Sequence, residues 1–414
     1  MVRLHRWVGL GIALFLAITG LTGSILAYRE PLDRWLNPDL FDVEPVSFRR
    51  PLPVGEMAQR IERALPQAEP FYLPLSTSAG ENVVVLMKPR QSHPAPLGFD
   101  QAFFDPYDGK LLATRNTGGS LFDRRSTMGF IYKLHRQLAL PVVWGTSILG
   151  LVSILWTLDS FTGLALTFPS RGNGAGRKSW WARWKTAWTF KRGASSSRRV
   201  LDLHRAGSLW LWGMLLIFAW SSVMLTAEPV YRAVMTRFVT FDEPRRALPV
   251  VPERDRDMRL DWGDALAAGR KALPEAARRF DFTSQGETEL VRDRNRNLYI
   301  YYVRSNRDIR DDSGSTGLFI DGTTGRLITV SLPTKAGAAG NAFTQWMYGL
   351  HLAQVFGAPY RLFVMLFGLA ITGLSVTGII LWWRKRRAHR IGEKRRRIRK
   401  TSMASFRRDV YAPE

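Results

Sequence analysis

The chain contains no cysteine. That excludes structural disulfides, cysteine-based zinc sites, iron–sulfur clusters and a haem attached through C-x-x-C-H. Any haem must therefore be held non-covalently. No Gly-rich nucleotide loop follows a strand, and the segments between apolar runs that carry excess positive charge are too short for a flavin domain. Acid is scarce, with 35 Asp and Glu against 59 Lys and Arg and a net charge of +24. The excess is local. Residues 169–200 hold nine Lys/Arg and no acid, and 384–414 hold thirteen against three. The stretches 28–134 (13 against 13) and 227–350 (19 against 17) are nearly balanced. Little aromatic material is interleaved with the tail's charges, so no nucleic-acid partner is expected.

Apolar sequence is abundant. Four runs, Trp7–Tyr28, Val142–Phe168, Leu209–Ala227 and Leu362–Trp383, are long enough to cross the roughly 30 Å of a bilayer core. The basic excess falls between the second and third runs and after the fourth. By the positive-inside rule this puts both termini in the cytoplasm, with the tail free to touch anionic lipid. The first run is read as a span rather than a leader. It exceeds the usual ~7–15 apolar residues, and its counterpart Leu209–Ala227 is internal.

The chain repeats itself. His5 opens LHRWVGLGIALF and His204 opens LHRAGSLWLWGM, and both runs close on Glu-Pro (Glu30-Pro31, Glu228-Pro229). His135 opens LHRQLALPVVWG and His351 opens LHLAQVFGAPYR, and both lead to a Thr-Gly pair (Thr162-Gly163, Thr377-Gly378). The offset grows slowly, from 199 (His5 to His204) through 208 (Leu65 to Leu273) to 216 (Asp105 to Asp321, His135 to His351). One unit was duplicated, giving parallel halves.

Each segment outside the spans carries an amphipathic helix pattern and then strands. In the first, Gly55–Ala68 puts Met57, Ile61 and Leu65 on one face, ahead of Phe71–Leu75, Asn82–Lys88 and a hairpin across FFDPYDGKLLAT. In the second, the helix is Asp261–Ala276, followed by Leu298–Arg304 and a hairpin across LFIDGTTGRLITV. The turns Asp105–Gly109 and Asp321–Gly325 supply the residue types a tight strand connection requires. This pattern resembles a PepSY domain, present twice. Two such domains threaded through four spans, with L-H-R at the entries, resemble the PepSY-associated transmembrane family. That family includes iron-regulated inner-membrane proteins and siderophore reductases of the FoxB kind. The expected architecture is an α-helical membrane protein of four transmembrane helices in two parallel repeats, with two periplasmic α+β PepSY-like domains. Its parts are a first span (1–28), a periplasmic domain (29–130), a second span (131–168), a basic cytoplasmic loop (169–200), a third span (201–227), a second periplasmic domain (228–345), a fourth span (346–383) and a basic cytoplasmic tail (384–414).

A lone histidine at a span end is usually an interfacial polar residue. Four at matching positions of two repeats point to ligands, because neutral imidazole is a common metal ligand. Topology pairs His5 with His204 on the cytoplasmic side and His135 with His351 on the periplasmic side. Two non-covalent b-type haems with bis-histidine ligation are expected. A copper or zinc pair is the alternative, for which two histidines are an incomplete set that no nearby Asp, Glu or Cys completes. Arg6, Arg136 and Arg205 follow three of the histidines and suit haem propionates or the headgroup level. Leu352 breaks the pattern, and Arg361 is a substitute. The glycines Gly9, Gly11, Gly20, Gly23, Gly368, Gly373 and Gly378 suit either close helix packing or a flat macrocycle. Trp7, Trp144, Trp210 and Trp212 are expected as belt anchors. Asp159, alone inside a span, is a candidate for proton uptake or a quinone site, or a partner for Ser160, Thr162 or a neighbouring helix. His93 and His389 have no twins and read as surface residues. Pro141 is expected to end the local helix of His135 before the second span.

The resemblance implies an inner-membrane reductase of ferric siderophore or another ferric chelate. The electron donor would be a separate cytoplasmic protein, free reduced flavin or membrane quinol. The rivals are a non-enzymatic PepSY membrane sensor or binding protein, and an iron-complex transporter.

Overall fold

The computed structural model describes residues 1–43, 50–78, 80–91, 95–170, 179–253, 256–311 and 314–410, with 394–410 as backbone. His93 lies outside these residues. The first half runs through α1 (Val2–Leu26), α2 (Arg29–Leu36), α3 (Pro38–Phe41), α4 (Val54–Ala64), β1 (Ala68–Pro74), β2 (Val83–Pro89), β3 (Gln101–Phe104), β4 (Leu111–Arg115), α5 (Thr127–Gln137), α6 (Val142–Thr167) and the short α7 (Trp180–Trp184). The second half follows the same order: α8 (Ser196–Thr226), α9 (Glu228–Met235), α10 (Pro244–Ala247), α11 (Trp262–Arg279), β5 (Ser284–Asp293), β6 (Leu298–Ser305), β7 (Thr316–Asp321), β8 (Leu327–Ser331), α12 (Ala339–His351) and α13 (Gly357–Val410). Among the described residues four helices are long and apolar enough to cross a membrane: Val2–Leu26, Val142–Thr167, Ser196–Thr226 and the Gly357–Glu393 part of α13.

The second span begins at Val142, the start of its apolar run, and the fourth at Gly357, five residues before its run. His135 sits on α5, which ends at Gln137 with Leu138 and Ala139 both left-handed (φ 57° and 56°), and α6 starts at Val142, after Pro141. His351 is the last residue of α12, and α13 starts at Gly357. Each of these histidines therefore lies on a separate helix ahead of its span.

The chain forms two compact units. One comprises Met1–Leu21, Ile148–Trp220 and Leu366–Glu414. In it α1 and α13 touch backbone to backbone. A Cβ on Gly20 would lie 2.7 Å from the Gly368 carbonyl oxygen, and Thr372 donates to the Ala17 carbonyl at 3.2 Å. This is the close approach small residues permit. The described part of the basic loop folds back on the spans. Ser179 caps α7 by accepting from Ala182 N. The rings of Phe168, Trp184, Trp188 and Trp210 follow one another at 5.4, 5.3 and 5.4 Å.

The other unit, Thr22–Ser147 with Ser221–Met365, holds one antiparallel sheet in the order β4-β3-β2-β1-β5-β6-β7-β8. The segments expected as two domains, 29–130 and 228–345, thus share one sheet. They also share one core. Met57 and Ile61 of α4, Trp262 and Leu266 of α11, and strand residues of both halves are buried together. The two helices meet where Gly55 faces Gly263, with no room for a side chain. The hairpin turns are as expected. Asp105 accepts from Tyr107 N (2.7 Å) and Asp321 from Thr324 N (2.7 Å), and Gly109 and Gly325 take φ of +65° and +72°.

β5 joins the halves by pairing with β1, Leu73 opposite Leu290. Beside this seam Glu69, almost fully buried, meets Arg294 (2.8 Å) and Lys88 (3.3 Å). Arg292 reaches Glu62 of α4 (3.1 Å) and lies over the Trp262 ring of α11 (4.6 Å). Trimming one methyl from this core, as in Ile61→Val, is expected to cost about 0.5–1.5 kcal/mol, read as a lowered unfolding midpoint. An unchanged midpoint would show the face of α4 to be loosely packed.

Candidate functional site

The inner candidate site lies in the first unit. His5 is in the second turn of α1, and His204 is in the third turn of α8. Their ring centroids are 6.3 Å apart with planes at 55°. Both rings line a cavity of about 570 Å³, mostly apolar, that also takes in Arg6, Gly9, Asp159 and Gly378. The outer candidate site lies in the second unit. His135 and His351 have ring centroids 6.3 Å apart and planes at 64°. The structure thus brings together the two pairs that topology assigned.

Each imidazole is held through Nδ1. His5 donates to the Asp159 carboxylate (3.0 Å to Oδ1, 2.9 Å to Oδ2), and Thr162 donates to the same carboxylate at 2.6 Å. His204 donates to the Leu374 carbonyl (3.1 Å), beside the Thr377 hydroxyl (3.1 Å). Carboxylate and carbonyl are acceptors only, so the proton sits on Nδ1 and the Nε2 lone pair is left for a ligand bond. His135 bonds the Thr22 hydroxyl (3.0 Å) and His351 the Ser221 hydroxyl (2.8 Å).

Three glycines seat the rings. A Cβ would stand 3.4 Å from His5 Cε1 at Gly163, 3.3 Å from His204 Cε1 at Gly378 and 3.1 Å from His135 Cε1 at Gly23. In the Thr-Gly pairs that mark the repeat, the glycine seats the ring, while Thr377 meets His204 directly and Thr162 reaches His5 through Asp159. Gly20 serves helix packing, whereas Gly11 and Gly373 face open space.

Among the described residues no group of three or more His, Cys, Asp or Glu converges as a metal site. Each pair offers two ligands, too few for zinc and the number that axial ligation of a haem requires. A metal bonded to both Nε2 atoms at about 2 Å, with a ring radius of roughly 1.1 Å on each side, sets the centroids about 6 Å apart. Both pairs have that spacing. One acid, Asp159, does lie beside a histidine, but not as a further ligand. It reaches His5 at Nδ1 and so stands behind the ligand.

The arginines diverge. Arg6 lines the inner cavity and has no ion-pair partner among the described residues. Arg205 lines it too but is tied to Asp202 (3.1 Å) and the Thr186 carbonyl (3.2 Å). Arg136 donates to Tyr132 one turn back (3.2 Å). Arg361 lies in the first turn of α13, partly exposed. Of the tryptophans, Trp7, Trp144 and Trp210 are largely exposed. Trp212 instead lines the inner cavity and donates to the Ser160 carbonyl (3.0 Å). His389 is exposed beside Glu393.

Sequence reasoning missed Thr22 and Ser221. Their signal was available, because they are separated by 199 residues, the same offset as His5 and His204. No curated protein matches the chain. The model of the PepSY-associated TM region matches residues 2–385, nearly the whole of these helices and the sheet, and the chain belongs to that family.

Proposed function

We propose that this membrane protein is a di-haem b reductase of the bacterial inner membrane, with both termini cytoplasmic. It would carry electrons outward to reduce a ferric siderophore or other ferric chelate in the periplasm. The observation that carries this reading is the pair of histidine pairs, each at 6.3 Å and each ring anchored through Nδ1. Bound haem supplies a one-electron couple. The chain's own residues do the rest. His5, His204, His135 and His351 offer Nε2, the hydroxyls, carbonyl and carboxylate behind them fix ring orientation, and the glycines leave room. Arg6 is the cation best placed for a propionate at the inner pair. Reduction releases iron from hard oxygen chelators because the ferrous ion is softer. The donor is a cytoplasmic protein, reduced flavin or membrane quinol.

The purified, detergent-solubilised chain is expected to show a b-type spectrum with about two haems per chain. After dithionite reduction and removal of excess reductant, ferric siderophore should reoxidise it. A colourless protein from haem-replete cells would overturn the reading in favour of a non-enzymatic sensor or binding protein. A red protein inert toward ferric chelates would leave the cofactors and remove the substrate.

A further inference from the structure

The four histidines are not held alike. A carbonyl and a hydroxyl support His204, and a hydroxyl meets Nδ1 of His135 and of His351. His5 rests on a carboxylate, at 2.9 Å. The repeat breaks at this position. Aligned on the Thr-Gly pairs, Asp159 matches Leu374. Asp159 is 8% exposed on an otherwise uncharged span, and its only ion pair among the described residues is with His5. Its remaining hydrogen bonds are short and local, from Thr162. Beside it Gly9 carries no side chain, and a Cβ there would stand 3.8 Å from Oδ2. A buried negative charge is costly where lipid and apolar side chains surround it, so its place behind one ligand of four calls for a role.

Resting on the haem reading above, we infer that Asp159 sets the direction of electron flow by lowering the reduction potential of the His5/His204 site below that of the His135/His351 site. A carboxylate accepting the Nδ1 proton makes the imidazole a stronger donor at Nε2. Its charge, little screened in an apolar setting, favours the more positive oxidation state of iron. A carbonyl or hydroxyl at Nδ1 carries no net charge and exerts no such bias. Electrons then fall from the pair that carries Asp159 to the pair that lacks it. Asp159 is a positioning residue here, acting through His5.

The test is an optical redox titration of the full-length, haem-loaded protein. The wild type is expected to reduce in two one-electron steps. Asp159→Asn should raise the lower step toward the upper, leave the upper in place and keep both haems, while Asp159→Glu should hold the lower step near its wild-type position. If Asp159→Asn fails to assemble, Asp159→Ser carries the same expectation, because a serine hydroxyl already supports His351 at Ser221. A lower step that stays put with two haems bound, an upper step that moves instead, or equal shifts in the Asn and Glu variants would overturn the inference while leaving the haem reading intact. A wild-type protein without haem would overturn both.

Discussion

The His5→Ala protein is expected to bind one haem per chain instead of two, and so is the His351→Ala protein. The two remaining haems should differ in spectrum and potential, since one would be held by His135/His351 and the other by His5/His204. The expectation follows from the segregation of the pairs. His5 faces His204 within one compact unit and His135 faces His351 within the other, so each site has its own two histidines. Loss of one axial imidazole removes one of the two protein–metal bonds that non-covalent retention depends on. Misfolding is separated from ligand loss by added imidazole. The inner cavity of about 570 Å³ can admit it, and binding of free imidazole should restore the second haem of His5→Ala. Two haems in both variants would refute the pairing.

Arg115→Ala is expected to destabilise the sheet unit by about 3–5 kcal/mol, the usual cost of stripping one partner from a buried ion pair. Arg115, on the edge strand β4, places Nη1 2.9 Å from both oxygens of Asp33 on α2, and the two side chains are 5% and 8% exposed. The guanidinium also donates to Gln101 (2.6 Å) and lies over the rings of Phe41 and Phe103. Removing it leaves the Asp33 carboxylate with little beyond Asn37 to satisfy it. The loss should appear as a lowered unfolding midpoint and as faster amide exchange in β3 and β4, with the inner histidine pair undisturbed. A shift below about 1 kcal/mol would place the pair among exposed ion pairs.

The elements that strong periodic signals specify were legible. The apolar runs became the four long helices, and the Asp-x-x-x-Gly turns became hairpins. Repeat arithmetic with charge asymmetry divided four histidines into the pairs the structure brings together. What escaped has physical reasons. β5 was missed because SQGETELVRD carries only two large apolar residues, Leu290 and Val291, and register shifts near Gly286 and Glu287 break its alternation. Its place is fixed by β1 and β6 on either side rather than by its own propensity. The break between α12 and α13 is only partly signalled in sequence: Gly357 takes a left-handed φ, but so do Ala353 and Phe356, which are not residues that usually do. Asp159 was visible as an anomaly, but its partner was not, because 154 residues separate it from His5.

The pairing of β1 with β5 has a consequence for synthesis. Leu73 finds its neighbour in Leu290, so when the ribosome has delivered the first two spans the first four strands still lack one flank. An unpaired strand edge is a template for pairing with other chains, and contacts this distant in sequence form late. The nascent chain must hold that edge open until β5 emerges, and Leu290 lies more than two hundred residues beyond Leu73. A message truncated before β5 would therefore yield an aggregation-prone fragment with intact first and second spans, rather than an independent half-protein.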